Sequence, residues 1–171
     1  GKSDKEIYEA MMLGIEAFNC ESLQEIFVIN EMAHIYGVKA NVSVRINPDI
    51  DAHTHKYVTT GLYENKFGIS QHEFDKLIEI IGKSSHINFI GLHFHVGSQI
   101  SRVEEVFGLE CRRVNEIVSY FESKGLKIDN INLGGGLGVD YDDPDGNPIA
   151  DFGTWFEAIS SNIVRRPDQA V

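Results

Sequence analysis

Three groups of residues in this sequence have the types and spacing to do chemistry. The first is Gly134-Gly135-Gly136-Leu137-Gly138, directly after a β-rich run that ends at Leu133. Glycines so placed let backbone amides close on an anion, with phosphate the usual guest, or simply make a tight turn. They lack the spacing of a dinucleotide fingerprint. The second group is His93 and His95, two apart on one strand and followed by Gly97-Ser98-Gln99. Two imidazoles on one strand face could hold a metal, move protons or stack on a planar cofactor, and a hydrogen-bonded core histidine is the plain alternative. The third is Arg45, within Val42-Ser43-Val44-Arg45-Ile46-Asn47. A guanidinium on an inward strand face needs an anion nearby, whether phosphate, carboxylate or internal acid.

A fourth cluster, Asp140, Asp142, Asp143 and Asp145, invites a calcium reading that its spacing rejects. Counting from Asp143, the sixth position is Pro148 and the twelfth Thr154, where a calcium loop needs Gly and Glu. A solvated turn around Pro144 and Gly146 is the expectation. His53 and His55 read as surface residues, and no bound metal is expected.

The elements that must position these groups follow from periodicity. Ser-x-x-Glu capping boxes at Ser3/Glu6, Ser22/Glu25, Ser70/Glu73 and Ser101/Glu104 mark helix starts. The clearest helix carries Val103, Val106, Val114, Ile117, Val118 and Phe121 at three- and four-residue steps and stops at Gly125. A shorter stripe, Phe74, Leu77, Ile78 and Ile81, precedes Gly82, and a further helix is expected near Phe152 to Val164. Between them lie β-rich runs at Ile15–Cys20, Asn41–Asn47, Ile87–Val96 and Ile128–Leu133. This alternation predicts parallel βα units. The third run puts Ile90, Leu92 and Phe94 on one face and Gly91, His93 and His95 on the other. The second repeats the division, with Ser43, Arg45 and Asn47 on the polar face. A small, polar inward face at carboxyl strand ends is where a (β/α) barrel builds its active site. A whole barrel takes roughly 250 residues, so 171 residues with four strands predict about four βα units, half of a (β/α)8 TIM barrel with two open sheet edges.

Composition narrows the function. With 15 basic against 26 acidic residues the formal charge is −11, which argues against a nucleic-acid or anionic-membrane surface. No apolar run reaches the length of a membrane helix and the N-terminus carries no signal peptide, so a cytoplasmic protein is expected. Cys20 and Cys111 have no CxxC spacing and read as reduced, buried thiols.

Taken in order, three segments resemble the diaminopimelate decarboxylase family of fold-type III pyridoxal-phosphate enzymes. They are Arg45-Ile46-Asn47-Pro48-Asp49 running through Thr60-Gly61 to Asn65-Lys66-Phe67-Gly68, then Gly91 to Ile100, then Asn132 to Gly138. The last two are also similar to biosynthetic arginine decarboxylase, and the first separates the two. The resemblance covers nearly the whole chain and implies a pyridoxal 5'-phosphate-binding barrel. It implies that His95 is catalytic, stacked on the pyridine ring, that Ser98, Gly134, Gly135 and Gly136 hold the phosphate, and that Arg45 lies beneath the cofactor, with His93 and Lys66 at the edge of the site. The implied reaction converts meso-diaminopimelate to L-lysine and carbon dioxide in a homodimeric enzyme.

The departures count as well. The family binds its cofactor through a lysine on an early strand, expected before Gly1. Tyr36-Gly37-Val38-Lys39-Ala40-Asn41 imitates that motif, but Lys39 begins the strand that leads to Arg45, at the barrel end opposite the site. A Glu-Pro-Gly-Arg-like segment and a C-terminal β-domain are expected beyond Val171, so residues 1–171 read as part of the barrel domain and as inactive alone. The alternatives are an arginine decarboxylase-like enzyme, a metal-dependent barrel hydrolase using His93 and His95, and a non-catalytic folding fragment.

Overall fold

The computed structural model describes residues 1–50, 67–146 and 151–171. Readings on His53, His55, Thr60, Gly61, Asn65, Lys66 and Pro148 lie outside them. The elements are α1 (Asp4–Met12), β1 (Phe18–Cys20), α2 (Leu23–Tyr36), β2 (Ala40–Arg45), a 3-10 turn (Gln71–Glu73), α3 (Phe74–Lys83), β3 (Ile87–His93), α4 (Val103–Ser123), β4 (Asn130–Asn132) and α5 (Phe152–Ser160). All four strands are parallel, in the order β1-β2-β3-β4. Each neighbour in the sheet is the next strand in sequence, the connectivity of successive βα units in a (β/α) barrel. Among the described residues no helix is long and apolar enough to cross a membrane.

Register sorts the side chains into two faces. Cys20, Val44, Leu92 and Ile131 form one row across the sheet, each no more than 2% exposed. That row meets Ile26, Ile29 and Ala33 of α2, Leu77 of α3, and Cys111, Val114, Ile117, Val118 and Phe121 of α4 in one core. Each fully buried Leu, Ile or Phe contributes about 1.5–3 kcal/mol, so this outer face carries most of the stability. The opposite face holds the row Asn19, Ser43, Gly91 and Asn130, and above it Arg45, His93 and Asn132. There the strands crowd: a Cβ at Gly91 would stand 2.1 Å from the Asn130 carbonyl oxygen.

The helix starts depart from the expected boxes in instructive ways. At α1 the box closes, with Ser3 Oγ accepting from the Glu6 amide and the Glu6 carboxylate accepting from the Ser3 amide at 2.8 Å. At α2 only half of it forms. Ser22 Oγ accepts from the Glu25 amide, but the buried Glu25 carboxylate turns to the Glu21 amide at 2.7 Å and to Lys2. Glu73 reaches the Ser70 amide and opens the 3-10 turn ahead of α3. Ser101 does not cap α4, which begins at Val103 with Arg102 as its N-cap and Arg102 paired to Glu105. Ile100 is still bridged to Leu137, so the chain turns helical too late for Ser101 to serve.

Two strand expectations also shift. The run Ile87–Val96 ends as a strand at His93, with one more bond from the Phe94 amide to the Asn132 carbonyl. β4 stops at Asn132 before the glycines, which leaves residues 95 and 96 no ladder to join. Ile90 is the extra residue of a bulge, since Val42 pairs with Phe89 and Ser43 with Gly91. Beyond β4, Ala170 forms an isolated parallel bridge to Asn130, its amide donating to the Asp129 carbonyl and its carbonyl accepting from the Ile131 amide.

Glu110 of α4 is the one misfit of the core stripe. It is fully buried, neither carboxylate oxygen has a hydrogen-bond partner among the described residues, and burial pushes its pKa from 4.5 up to about 8. A carboxyl that stays protonated in the fold and ionises near 4.5 once unfolded loses stability as pH rises between those values, by roughly 1.4 kcal/mol per unit. The expected outcome for Glu110→Gln is a melting temperature close to wild type at pH 4.5 and clearly higher at pH 8, measured by circular dichroism. Parallel pH profiles for the two proteins would refute this.

Candidate functional site

The loops at the carboxyl ends of β3 and β4 lie against each other. Two bonds join them as a short parallel bridge: the Ile100 amide donates to the Gly136 carbonyl at 2.8 Å and the Gly138 amide to the Ile100 carbonyl at 3.0 Å. Gln99, at φ +58°, donates from Nε2 to the Val139 carbonyl and accepts from the Val139 amide. Beneath this clamp sits a small apolar cluster of Ile100, Val103, Val106, Phe107 and Ala158, packed with Val96, Leu137 and Trp155. The loops thus rest on the first turns of α4 and on α5.

Within the clamp the glycines are sterically required. A Cβ at Gly136 (φ +107°) would lie 1.8 Å from the Gly97 carbonyl oxygen, and one at Gly134 (φ +77°) 2.3 Å from the Phe94 carbonyl oxygen and 3.1 Å from His95 Nδ1. Gly135, between them, faces open space. The Gly134 amide donates to Asn132 Oδ1 at 2.8 Å, an Asx turn that starts the loop. The amides of Gly135 and Gly136 make no hydrogen bond among the described residues. Two adjacent unpaired amides in a left-handed turn form an anion-binding nest. The exposed Ser98 hydroxyl and the half-buried His95 imidazole, also without hydrogen bonds among the described residues, complete a rim of polar groups. This set fits a phosphorylated planar cofactor: amides and a hydroxyl for the phosphate, and an imidazole face beside them.

Arg45 stands one strand over, level with His93 in the register. Its anion is an internal acid. Nη1 donates to both oxygens of Glu21 at 3.1 and 3.2 Å, and the guanidinium carbon lies 5.4 Å from the centre of the Phe67 ring. His93 has a buried Nδ1 without a hydrogen-bond partner among the described residues, and burial together with the Arg45 charge holds its pKa below the usual histidine range. It is therefore neutral at pH 7. Among the described residues no third His, Cys, Asp or Glu joins His93 and His95 into a metal-binding group. In the acidic stretch two carboxylates cap turns, Asp140 Oδ1 accepting from the Asp142 and Asp143 amides and Asp143 Oδ1 from the Gly146 amide.

Sequence reasoning overlooked Glu21, Gln99 and Asn132. Asn132 had a readable signal, the Asx-x-Gly spacing to Gly134. Glu21 and Gln99 act across 24 and 40 residues and had none.

Comparison with known proteins places the chain in a family. The profile of the family described as "Pyridoxal-dependent decarboxylase, pyridoxal binding domain" matches residues 1–170. The chain is 44% identical over 171 residues to the diaminopimelate decarboxylase of Bacteroides thetaiotaomicron, covering 100% of this chain and 44% of that protein. It is 36% identical to the diaminopimelate decarboxylase of Aquifex aeolicus, covering 100% of this chain and 42% of that one. A crystal structure of a mutant Helicobacter pylori diaminopimelate decarboxylase complexed with L-lysine superposes with a TM-score of 0.83 at 34% identity, over 99% of this chain and 42% of that one. The chain spans less than half the length of these relatives.

The loop geometry makes a graded prediction. Gly136→Ala and Gly134→Ala each combine a left-handed φ with a backbone clash and are expected to cost at least about 2 kcal/mol, whereas Gly135→Ala stays within about 0.5 kcal/mol of wild type. Urea unfolding of the three variants checks the order, and equal losses at all three positions would contradict it.

Proposed function

The chain belongs to the pyridoxal-dependent decarboxylases, and from that premise we propose that it is part of the cofactor-binding barrel of a diaminopimelate decarboxylase. The reaction would remove the carboxylate at the D-configured centre of meso-diaminopimelate as carbon dioxide and put a proton in its place, leaving L-lysine. The observation that carries this reading is the pair of unpaired amides at Gly135 and Gly136 beside His95, in a chain 44% identical to a relative of that name.

When bound, pyridoxal 5'-phosphate supplies the electron sink that decarboxylation needs. The protein's part is to bind, orient and exclude water. In this reading the Gly135 and Gly136 amides and the Ser98 hydroxyl hold the phosphate, while Gly134 shapes the loop, its amide being already committed to Asn132. His95 would set its imidazole against the ring. Neutral His93 and the Glu21-paired Arg45 would lie beneath the cofactor, where a guanidinium neutralised by its own acid would set the polarity without competing for the phosphate. Lys39, exposed and directly before β2, sits at the amino end of the strand. That position, at the strand end away from the glycine loop, supports rejecting Lys39 as the lysine that carries the cofactor. A cytoplasmic homodimer acting on this small amino acid completes the proposal.

The complete enzyme loaded with pyridoxal phosphate is expected to release L-lysine from meso-diaminopimelate and no agmatine from L-arginine, read by amino-acid chromatography. The reverse preference would overturn the substrate assignment. In the same enzyme His95→Ala is expected to lower turnover at least about tenfold, because a misoriented cofactor misaligns the bond to be broken. Wild-type kinetics for that variant would remove His95 from its role.

A further inference from the structure

At the other end of the strands a pair of imidazoles meets that no part of the proposed reaction uses. His34, in the last turn of α2, and His86, the residue that enters β3, come from positions 52 apart, yet His34 Nδ1 and His86 Nε2 stand 3.2 Å from each other. The rings are 4.5 Å apart at 55°. His86 is fixed on three sides. Its amide donates to Asn30 Oδ1, one turn before His34 on α2, at 3.1 Å; its carbonyl accepts from the Ala40 amide at 3.0 Å; and its Nδ1 lies 2.9 Å from Ser85 Oγ.

We propose that His34 and His86 together bind a divalent transition-metal ion of the zinc or nickel class, through His34 Nδ1 and His86 Nε2. Two imidazole nitrogens each about 2.0–2.1 Å from a tetrahedral zinc ion stand roughly 3.3–3.4 Å apart. The observed 3.2 Å needs almost no adjustment. When His86 Nδ1–H donates to Ser85 Oγ, Nε2 keeps its lone pair on the side of His34 Nδ1, where an ion would replace the proton shared between the two rings. A second partner on the other nitrogen is how ligating histidines are commonly held. His34 is exposed, so an ion reaches the pair from solvent. The formal charge of −11 raises the local concentration of cations around the chain. Among the described residues no third His, Cys, Asp or Glu joins the pair, so water fills the remaining positions. Affinity is accordingly in the micromolar range rather than that of a closed four-ligand site.

The consequence is structural. An ion here ties the end of α2 to the entry of β3, at the face opposite the glycine loop. Binding to the folded state alone raises its stability by linkage and leaves chemistry at the far end untouched.

The test is calorimetric titration of metal-free protein with zinc chloride and with nickel chloride, alongside thermal melting with and without the ion. Wild type is expected to bind one ion saturably and to melt higher with it. His34→Ala and His86→Ala are each expected to weaken binding at least tenfold and to abolish the metal-dependent rise in melting temperature. His34 is exposed, so its variant tests the site without disturbing the core, and circular dichroism verifies that both variants are folded. In the complete enzyme both variants keep wild-type turnover. No saturable binding to wild type, which would make the pair a plain hydrogen bond, overturns the proposal. So does binding that survives either substitution, which would place the ion on other histidines.

Discussion

The carbonyl of Gly97 lies where a side chain at residue 136 would have to be, and this contact between two backbones governs the rest of the site. It brings the loop after β3 and the loop after β4 close enough for Ile100 to bridge Leu137 and for Gln99 to clamp Val139. With the loops joined, the Gly135 and Gly136 amides stand near His95 without a hydrogen bond among the described residues. Anion recognition by such a nest is built into the backbone, so it tolerates no side chain at the two crowded positions. It also needs no excess of positive side chains, which suits a chain of charge −11.

The same economy appears one strand away. A guanidinium on the inward face is costly unless paired, and Arg45 meets both oxygens of Glu21 on the neighbouring β1–α2 turn. Glu21 is itself placed by Glu25, whose buried carboxylate holds the Glu21 amide. The helix start that the Ser22 box marks therefore serves the site as much as the helix. Behind this face, the apolar row Cys20, Val44, Leu92 and Ile131 seals the sheet against α2 and α4. Stability and chemistry thus occupy opposite faces of one set of strands, the division a barrel makes available.

That division was legible in the sequence because it rests on a period of two. Alternation set His93 and His95 against Leu92 and Phe94, and the glycine run after Leu133 announced a close backbone approach. Helix existence was legible for the same reason, from the stripe of Val106, Val114 and Phe121. What escaped reading depends on register between distant segments. Ile90 enters a bulge only because β2 and β3 must realign, Ser101 loses its cap because Ile100 is held by Leu137, and Ala170 makes its bridge only because Asn130 lies beside it. Glu21 as the partner of Arg45, and His86 as the partner of His34, are contacts no local motif encodes.

The central claim is that the nest at Gly135 and Gly136, with His95 beside it, is the phosphate end of a pyridoxal site. The most direct measurement is a crystal structure of the complete enzyme with the cofactor bound. This account predicts phosphate oxygens within hydrogen-bond distance of the Gly135 and Gly136 amides, the Gly134 amide still donating to Asn132, and the His95 imidazole against the pyridine ring. A phosphate held at another loop, with the two amides left to water, would contradict it.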